Sequence, residues 1–402
     1  MTSLVLKKLE WLAAYGRDGR GGITRLVYSE AWYQAQQALK TWLEEEGFNV
    51  EIDAVGNLIA LIPGAERPDE HIMTGSHLDS VVSGGIYDGQ YGIIGGALSV
   101  LGLVKKHGRP RKTIAVVAFA EEEGSRFPYA MWGSKSMFGK ACIDDVKNIK
   151  DAEGVSMENA MKKWDYSGVQ EPREQVKAFI ELHIEQGSVL ETEEIEIGIV
   201  HSIVGQRRLQ VTVIGEVNHA GTTPMGYRKD AMKAASQMVS SLLSIASAYG
   251  DPLVATIGRF ELEPNIPNVV PGKAIFTLDI RHIDKSVLEE ITEEMTVEME
   301  RIAKEQFVEI SIETWFSSQP VPMDNQMIQQ ISQSCEDKHI TYKWMHSGAA
   351  HDSQVTATMV PTAMIFVPSQ SGISHSPFEF TAEQSLVQGM AVLEDTLFKL
   401  AY

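Results

Sequence analysis

Histidine, aspartate and glutamate recur in this chain in four short segments suited to holding divalent cations. The first runs Gly75-Ser76-His77-Leu78-Asp79 and continues at Gly84-Gly85-Ile86-Tyr87-Asp88-Gly89. The others are Ala120-Glu121-Glu122-Glu123-Gly124, Glu181-Leu182-His183-Ile184-Glu185-Gln186-Gly187 and Gly372-Ile373-Ser374-His375-Ser376-Pro377. Imidazole mixed with carboxylate suits zinc, manganese, cobalt or nickel. His77, Asp88, Glu123, His183 and His375 are the candidate ligands. Five ligands with one bridging carboxylate fit two ions about 3.5–4 Å apart, with positions left for water. Asp88 is the natural bridge, because nearby glycines let the backbone come close. Asp79 lies on the same side of an extended chain as His77 and can orient that imidazole from behind. Within the glutamate triplet, Glu123 binds metal and Glu122 is free to act as general base on water.

These segments need a scaffold that brings them to one place. Strand-like runs at Asn57–Ile62, His71–Gly75, Thr113–Ala120 and Val176–Leu182 alternate with helical signals. Thr113–Ala120 is almost wholly apolar, as in strands buried on both faces of an α/β sheet. Ligands of such sheets sit beyond the carboxyl ends of the strands, which is where Glu123 and His183 fall. Ser29 is a plausible N-cap for a helix carrying Ala35, Leu39, Trp42 and Leu43 inward, with Gly47 ending it. Residues 1–20 read as a first helix. Thr381 and Gln384 read as a capping box for a last helix with Leu386, Met390, Leu393 and Leu397 inward.

From Arg207 the texture changes to alternation, with Leu209, Val211 and Val213 between polar neighbours. A helix near Asp230–Tyr249, strands at Leu253–Leu262 and Lys273–His282, a helix at Lys285–Glu305 and a strand near Val308–Thr314 follow. That order, β-α-β-β-α-β, is the ferredoxin-like pattern. The metal-type segments resume after it, so it reads as an insertion. The expectation is an α/β metallohydrolase domain with a mixed sheet, formed by residues 1–206 and 319–402. An α+β lid or dimerisation domain would span 207–318.

A length of 402 residues suits two domains. A formal charge of −19 with no basic tract argues against a nucleic-acid partner. No run approaches 18 uninterrupted apolar residues, so no membrane span is expected. Two cysteines far apart suit a reducing cytoplasm rather than a disulfide framework.

With these residues in hand, the chain resembles the amidohydrolase branch of the M20 metallopeptidase family. That branch includes enzymes of allantoate, N-carbamoyl-L-amino acids and β-ureidopropionate. The resemblance rests on GSHLDSV (75–81), EEEGSRF (121–127), ELHIEQG (181–187), NHAGTTPM (218–225), SGAAHDS (347–353) and GISHSP (372–377). It implies that His77, Asp88 and His183 hold one ion, that Asp88, Glu123 and His375 hold the other, and that Glu122 is the base. Manganese is the ion it suggests for allantoate enzymes. It further implies a homodimer whose smaller domain closes over the site, where His219 polarises the scissile carbonyl. Asn268 and Arg281 would grip a substrate carboxylate, and Gln186, Gln206 and Gly348 would make further substrate contacts. From periodicity alone Arg281 equally suits a solvated strand position, and His219 a turn. The runs 204–208, 222–228 and 345–349 look most like the allantoate-acting subgroup; Ala350 departs from it, where glycine is common. The expected reaction is hydrolysis of allantoate to ureidoglycine, ammonia and carbon dioxide, with N-carbamoyl-L-amino acid or β-ureidopropionate hydrolysis as the alternative.

Overall fold

The computed structural model describes residues 3–402. Two compact units emerge: one runs to His201 and resumes at Pro322, and the other is Ser202–Val321. The junctions lie a few residues outside the 207–318 span read from the sequence.

The first unit is built on a nine-stranded mixed sheet. Its core is four parallel neighbours, in the order Lys112–Phe119, Arg67–His77, Val176–Ile184 and Thr362–Val367. Antiparallel strands flank them, Leu58–Ile62 on one side and Ile197–Ile203 on the other. Every residue of Thr362–Val367 is buried, as are all but the first of Lys112–Phe119. Such continuous apolar runs follow from helices covering both faces of a parallel sheet. The helix Gln90–His107 packs on Arg67–His77 and against the final helix, Glu383–Ala401.

Parallel strands share a direction, so their carboxyl ends lie on one rim. From that rim His77 ends its strand, Glu121–Glu123 follow Phe119, His183 sits one residue from its strand's end, and Ser369–His375 follow Val367. The four chemical segments therefore meet because of topology.

The second unit carries a five-stranded antiparallel sheet, in the order Phe260–Glu263, Lys273–His282, Gly205–Ile214 and Glu309–Ser318, with Val254–Thr256 also paired to Lys273–His282. Helices Ala231–Tyr249 and Lys285–Gln306 cover one face, packing Met238, Leu242, Ile291 and Met295 on Val211, Phe276 and Leu278. The element order is the β-α-β-β-α-β pattern, with one amendment. The run read as a single strand over Leu253–Leu262 is two, Val254–Thr256 and Phe260–Glu263, interrupted at Ile257-Gly258-Arg259.

Two termini also differ from the expectation. The first helix spans only Leu4–Ala13, and beyond it the chain turns through Gly16 (φ +104°), which an L side chain rarely adopts. The last helix starts at Glu383 with Ala382 as its cap, and the buried Thr381 hydroxyl makes no hydrogen bond. The 29–47 region behaves as expected: Ser29 Oγ accepts from Trp32 N–H at the start of helix Glu30–Glu45. Among the described residues, no helix is long and apolar enough to cross a membrane.

Candidate metal centre

Asp88 is the centre of the site. Its Oδ1 lies 3.4 Å from His77 Nε2 and 3.1 Å from His183 Nε2, while Oδ2 lies 3.3 Å from His375 Nε2. His375 Nε2 is in turn 3.6 Å from Glu123 Oε2. The structure thus gathers two ligand sets, His77–Asp88–His183 and Asp88–Glu123–His375, each with its ligand atoms within 4.8 Å of one another. They share Asp88 through its two oxygens. Glu122 joins His77 and Glu123 in a third such set.

Both strand-end imidazoles are fixed in one tautomeric arrangement. His77 Nδ1 lies 3.1 Å from the Asp79 carbonyl, and His183 Nδ1 lies 2.8 Å from the Ile184 carbonyl. A carbonyl only accepts, so each Nδ1 carries a hydrogen and each Nε2 faces Asp88, able to donate to the carboxylate when protonated and to bind a cation when not. Gly89 N–H also points at His183 Nε2, 3.3 Å away. Gly89 itself adopts φ +68°, and a Cβ there would come within 2.5 Å of the His77 ring and carbonyl. Only glycine closes this turn.

Asp79 approaches His77 Nδ1 through both its carboxylate and its main-chain carbonyl. Its carboxylate stands 3.6 Å from His77 Nδ1, beyond hydrogen-bond reach, and it is the Asp79 main-chain carbonyl that meets the imidazole. The carboxylate instead accepts the backbone N–H groups of Glu122 and Glu123, at 3.0 and 3.1 Å. It clamps the glutamate loop to the His77 loop. Gln186, expected to contact substrate, is held close to Asp88. Its side-chain amide donates to Asp88 Oδ2 at 3.0 Å and to Ser374 Oγ at 3.1 Å.

Electrostatically the cluster is over-supplied with negative charge. Burial pushes Glu122 well above the usual carboxylate range, against the pull of His77, and the charges of Glu123 and Asp352 push the same way. Burial and Asp88 push Glu123 up to about 7, and its Oε1 is buried with no hydrogen-bond partner. Buried anions need paired charge. His77 and His183 answer in part: burial lowers each, but Asp88 raises both above the ordinary imidazole value. Cations between the two ligand sets would complete that pairing, and the donor chemistry fits divalent ions.

The remaining expected residues belong to the second unit or to the loop after Tyr342–Ser347. His219 and Asn268 are exposed and close together: His219 pairs with Val269 across a two-stranded ladder, and the Asn268 carbonyl accepts from Ala220 N–H. His219 Nδ1 accepts two backbone N–H groups, from Gly221 and Thr222, both at 3.1 Å. Arg281 lies on the face of its strand away from the helices, opposite Gln206, and holds Asp279 through Nε and Nη2, each at 3.0 Å. Gln206 is buried, with its N–H on Ser318 Oγ. Gly348 is exposed, and a Cβ there would meet nothing within 4 Å.

Sequence reasoning passed over several buried groups around the centre. Glu379 accepts the N–H of Tyr87 and of Asp88. Glu181 accepts from Ser76 Oγ and from both the N–H and hydroxyl of Ser353. His351 stacks edge-on against His183, 4.7 Å between centroids, and burial and His183 hold it well below the ordinary imidazole value. His351 sits inside the 347–353 run and could have been flagged from it. Glu379 carries no local signal.

A metal-type cluster at the carboxyl rim of a parallel-stranded core defines a metallohydrolase-like protein. The sequence signature of peptidase family M20/M25/M40 matches residues 73–399, and the chain belongs to that family. It is 47% identical to the allantoate amidohydrolase of Escherichia coli (strain K12), over 98% of this chain and 97% of the relative. It is 36% identical to the N-carbamoyl-L-amino acid amidohydrolase of Geobacillus stearothermophilus, over 98% and 97% of the two chains. A crystal structure of a hydantoinase/carbamoylase-family amidase from Burkholderia multivorans superposes with a TM-score of 0.94 at 32% identity, covering 99% of this chain and 97% of the other.

Proposed function

We propose that this chain hydrolyses the ureido C–N bond of allantoate, giving ureidoglycine, ammonia and carbon dioxide, with two divalent ions per subunit. The observation that carries the reading is Asp88, whose two oxygens face separate ligand sets. Similarity to the Escherichia coli allantoate amidohydrolase supports the choice of substrate. Manganese as the ion, a homodimer and a cytoplasmic setting complete the proposal.

Bound at the two sets, the ions would supply the positive charge that acidifies water and polarises a carbonyl. The protein's own groups do the rest. Glu122, free of the shared Asp88 contacts, takes the proton of the attacking water and later returns it to the departing nitrogen. The cleaved carbamate then falls to ammonia and carbon dioxide. With Nδ1 occupied by two N–H groups, a neutral His219 carries its hydrogen on Nε2, the form that donates to a developing oxyanion. Arg281, planar and steadied by Asp279, suits a carboxylate.

The test is ammonia release from Mn²⁺-loaded protein, comparing allantoate with N-carbamoyl-L-amino acids. Clear preference for allantoate is expected. Preference for the carbamoyl amino acids, the substrates named for the Geobacillus relative, would reassign the substrate within the same chemistry.

A further inference from the structure

Around Asp88 runs a closed ring of hydrogen bonds that uses no candidate ligand besides Asp88 itself. Glu379 Oε1 accepts the N–H of Tyr87 at 3.0 Å and of Asp88 at 3.1 Å. Its other oxygen accepts the Ser374 hydroxyl at 2.8 Å. Ser374 Oγ accepts the Gln186 side-chain amide, which also donates to Asp88 Oδ2. Three loops are joined in this way: the turn ending in Asp88, the loop after His183 and the loop carrying His375.

The ring looks built rather than incidental. Glu379 is 6% exposed in a region already crowded with carboxylates, a costly place for another anion. Gly85 packs so tightly on its side chain that any Cβ there would collide with it. Gln186 and His375 both hold left-handed backbone, at φ +58° and +53°, which non-glycine residues rarely keep without compensation. Directionality is also fixed. Gln186 donates to Ser374, Ser374 donates to Glu379, and a carboxylate at 379 can accept from both the hydroxyl and the two N–H groups.

We propose that Glu379 is a positioning residue that sets the aim of Asp88 Oδ2 and couples it, through Ser374 and Gln186, to the loop bearing His375. This inference rests on the two-ion reading above. Its consequence is selective. The ion between Asp88, Glu123 and His375 depends on the ring, because two of its three ligands sit on ring loops. The ion at His77, Asp88 and His183 depends on it less, since both histidines are fixed by main-chain carbonyls of their own segments.

The experiment is calorimetric titration of metal-free full-length protein with Mn²⁺ alone, with electron paramagnetic resonance to detect a spin-coupled pair. Wild type should bind two ions and give the coupled signal. Glu379→Ala should keep one tight site and bind the second roughly 10–100-fold more weakly, as loss of groups behind ligands commonly does. Ser374→Ala, a gentler change, should weaken the same ion by a smaller factor, and Glu379→Gln, which keeps the shape, should recover part of the loss. Two tight ions in both Glu379→Ala and Ser374→Ala would overturn the positioning role while leaving the two-ion reading intact. Fewer than two ions in wild type would overturn both.

Discussion

At the scale of single residues, the site is a problem of where protons sit before cations arrive. Asp88 lifts His375 to about 9, and burial with Asp88 lifts Glu123 to about 7, so in the metal-free protein at neutral pH both hold protons to a large degree. Ligands must lose those protons to bind. Mn²⁺ uptake at pH 7 should therefore release protons, and apparent affinity should fall as pH is lowered from 8 to 6. Titrations in buffers of different ionisation enthalpy would measure the release; identical heats in all buffers would contradict it. Glu122 poses the complementary question, because it is beside the ligands yet is not needed to hold either set. Glu122→Gln should keep both ions while kcat falls about 10²–10⁴-fold, the usual worth of a positioned base. Full ammonia release from that variant would remove Glu122 from the mechanism.

At the scale of elements, the strand ends and their turns decide the geometry. His77 closes its strand, the chain then loops to Asp88, and the helix Gln90–His107 begins immediately after Gly89. Gly89→Ala would force a Cβ against His77 in a left-handed turn, and an alanine there is strained even with space available. We expect a loss of about 1–3 kcal/mol in the metal-free protein, read from denaturant unfolding, together with weaker Mn²⁺ binding. Wild-type stability and affinity would show that the turn adjusts. The element scale also explains what the sequence could and could not reveal. Apolar runs such as Thr362–Val367 announce buried strands, and histidines next to them announce a rim, so the ligand types and their general meeting place are legible. The part played by Asp79 is not, because periodicity places its side chain by His77 without showing that Glu122 and Glu123 N–H groups compete for it. Glu379 is silent for the same reason: its partners are the N–H groups of Tyr87 and Asp88, nearly 300 positions earlier in the chain. The split of the 253–262 run was equally hidden, since Ile257-Gly258-Arg259 breaks the ladder through pairing rather than composition.

At the scale of the whole molecule, both units have apolar cores, but only the first adds an acidic rim. The second has its own apolar core of sheet and two helices. The first has a buried sheet too, but its rim concentrates Asp79, Asp88, Glu122, Glu123 and Glu379 in a chain already carrying −19. Burial and mutual repulsion of these groups cost folding energy, met in the metal-free protein by taking up protons and in the loaded protein by cations, and a ligand that binds only the folded state adds about 2.7 kcal/mol at 100 times its Kd. Chelation should therefore abolish ammonia release and lower the melting temperature, with both restored by Mn²⁺. The effect should also be local. In hydrogen-exchange mass spectrometry, removing metal should loosen residues 77–89, 120–124, 183–187 and 369–379 first. The core amides of Gly205–Ile214 and Lys273–His282, in strands that carry none of the candidate ligands, should exchange at unchanged rates. Equal loosening of those strands would mean that the ions stabilise the chain as a single cooperative whole, and that the repulsion at the rim is not what the metals relieve.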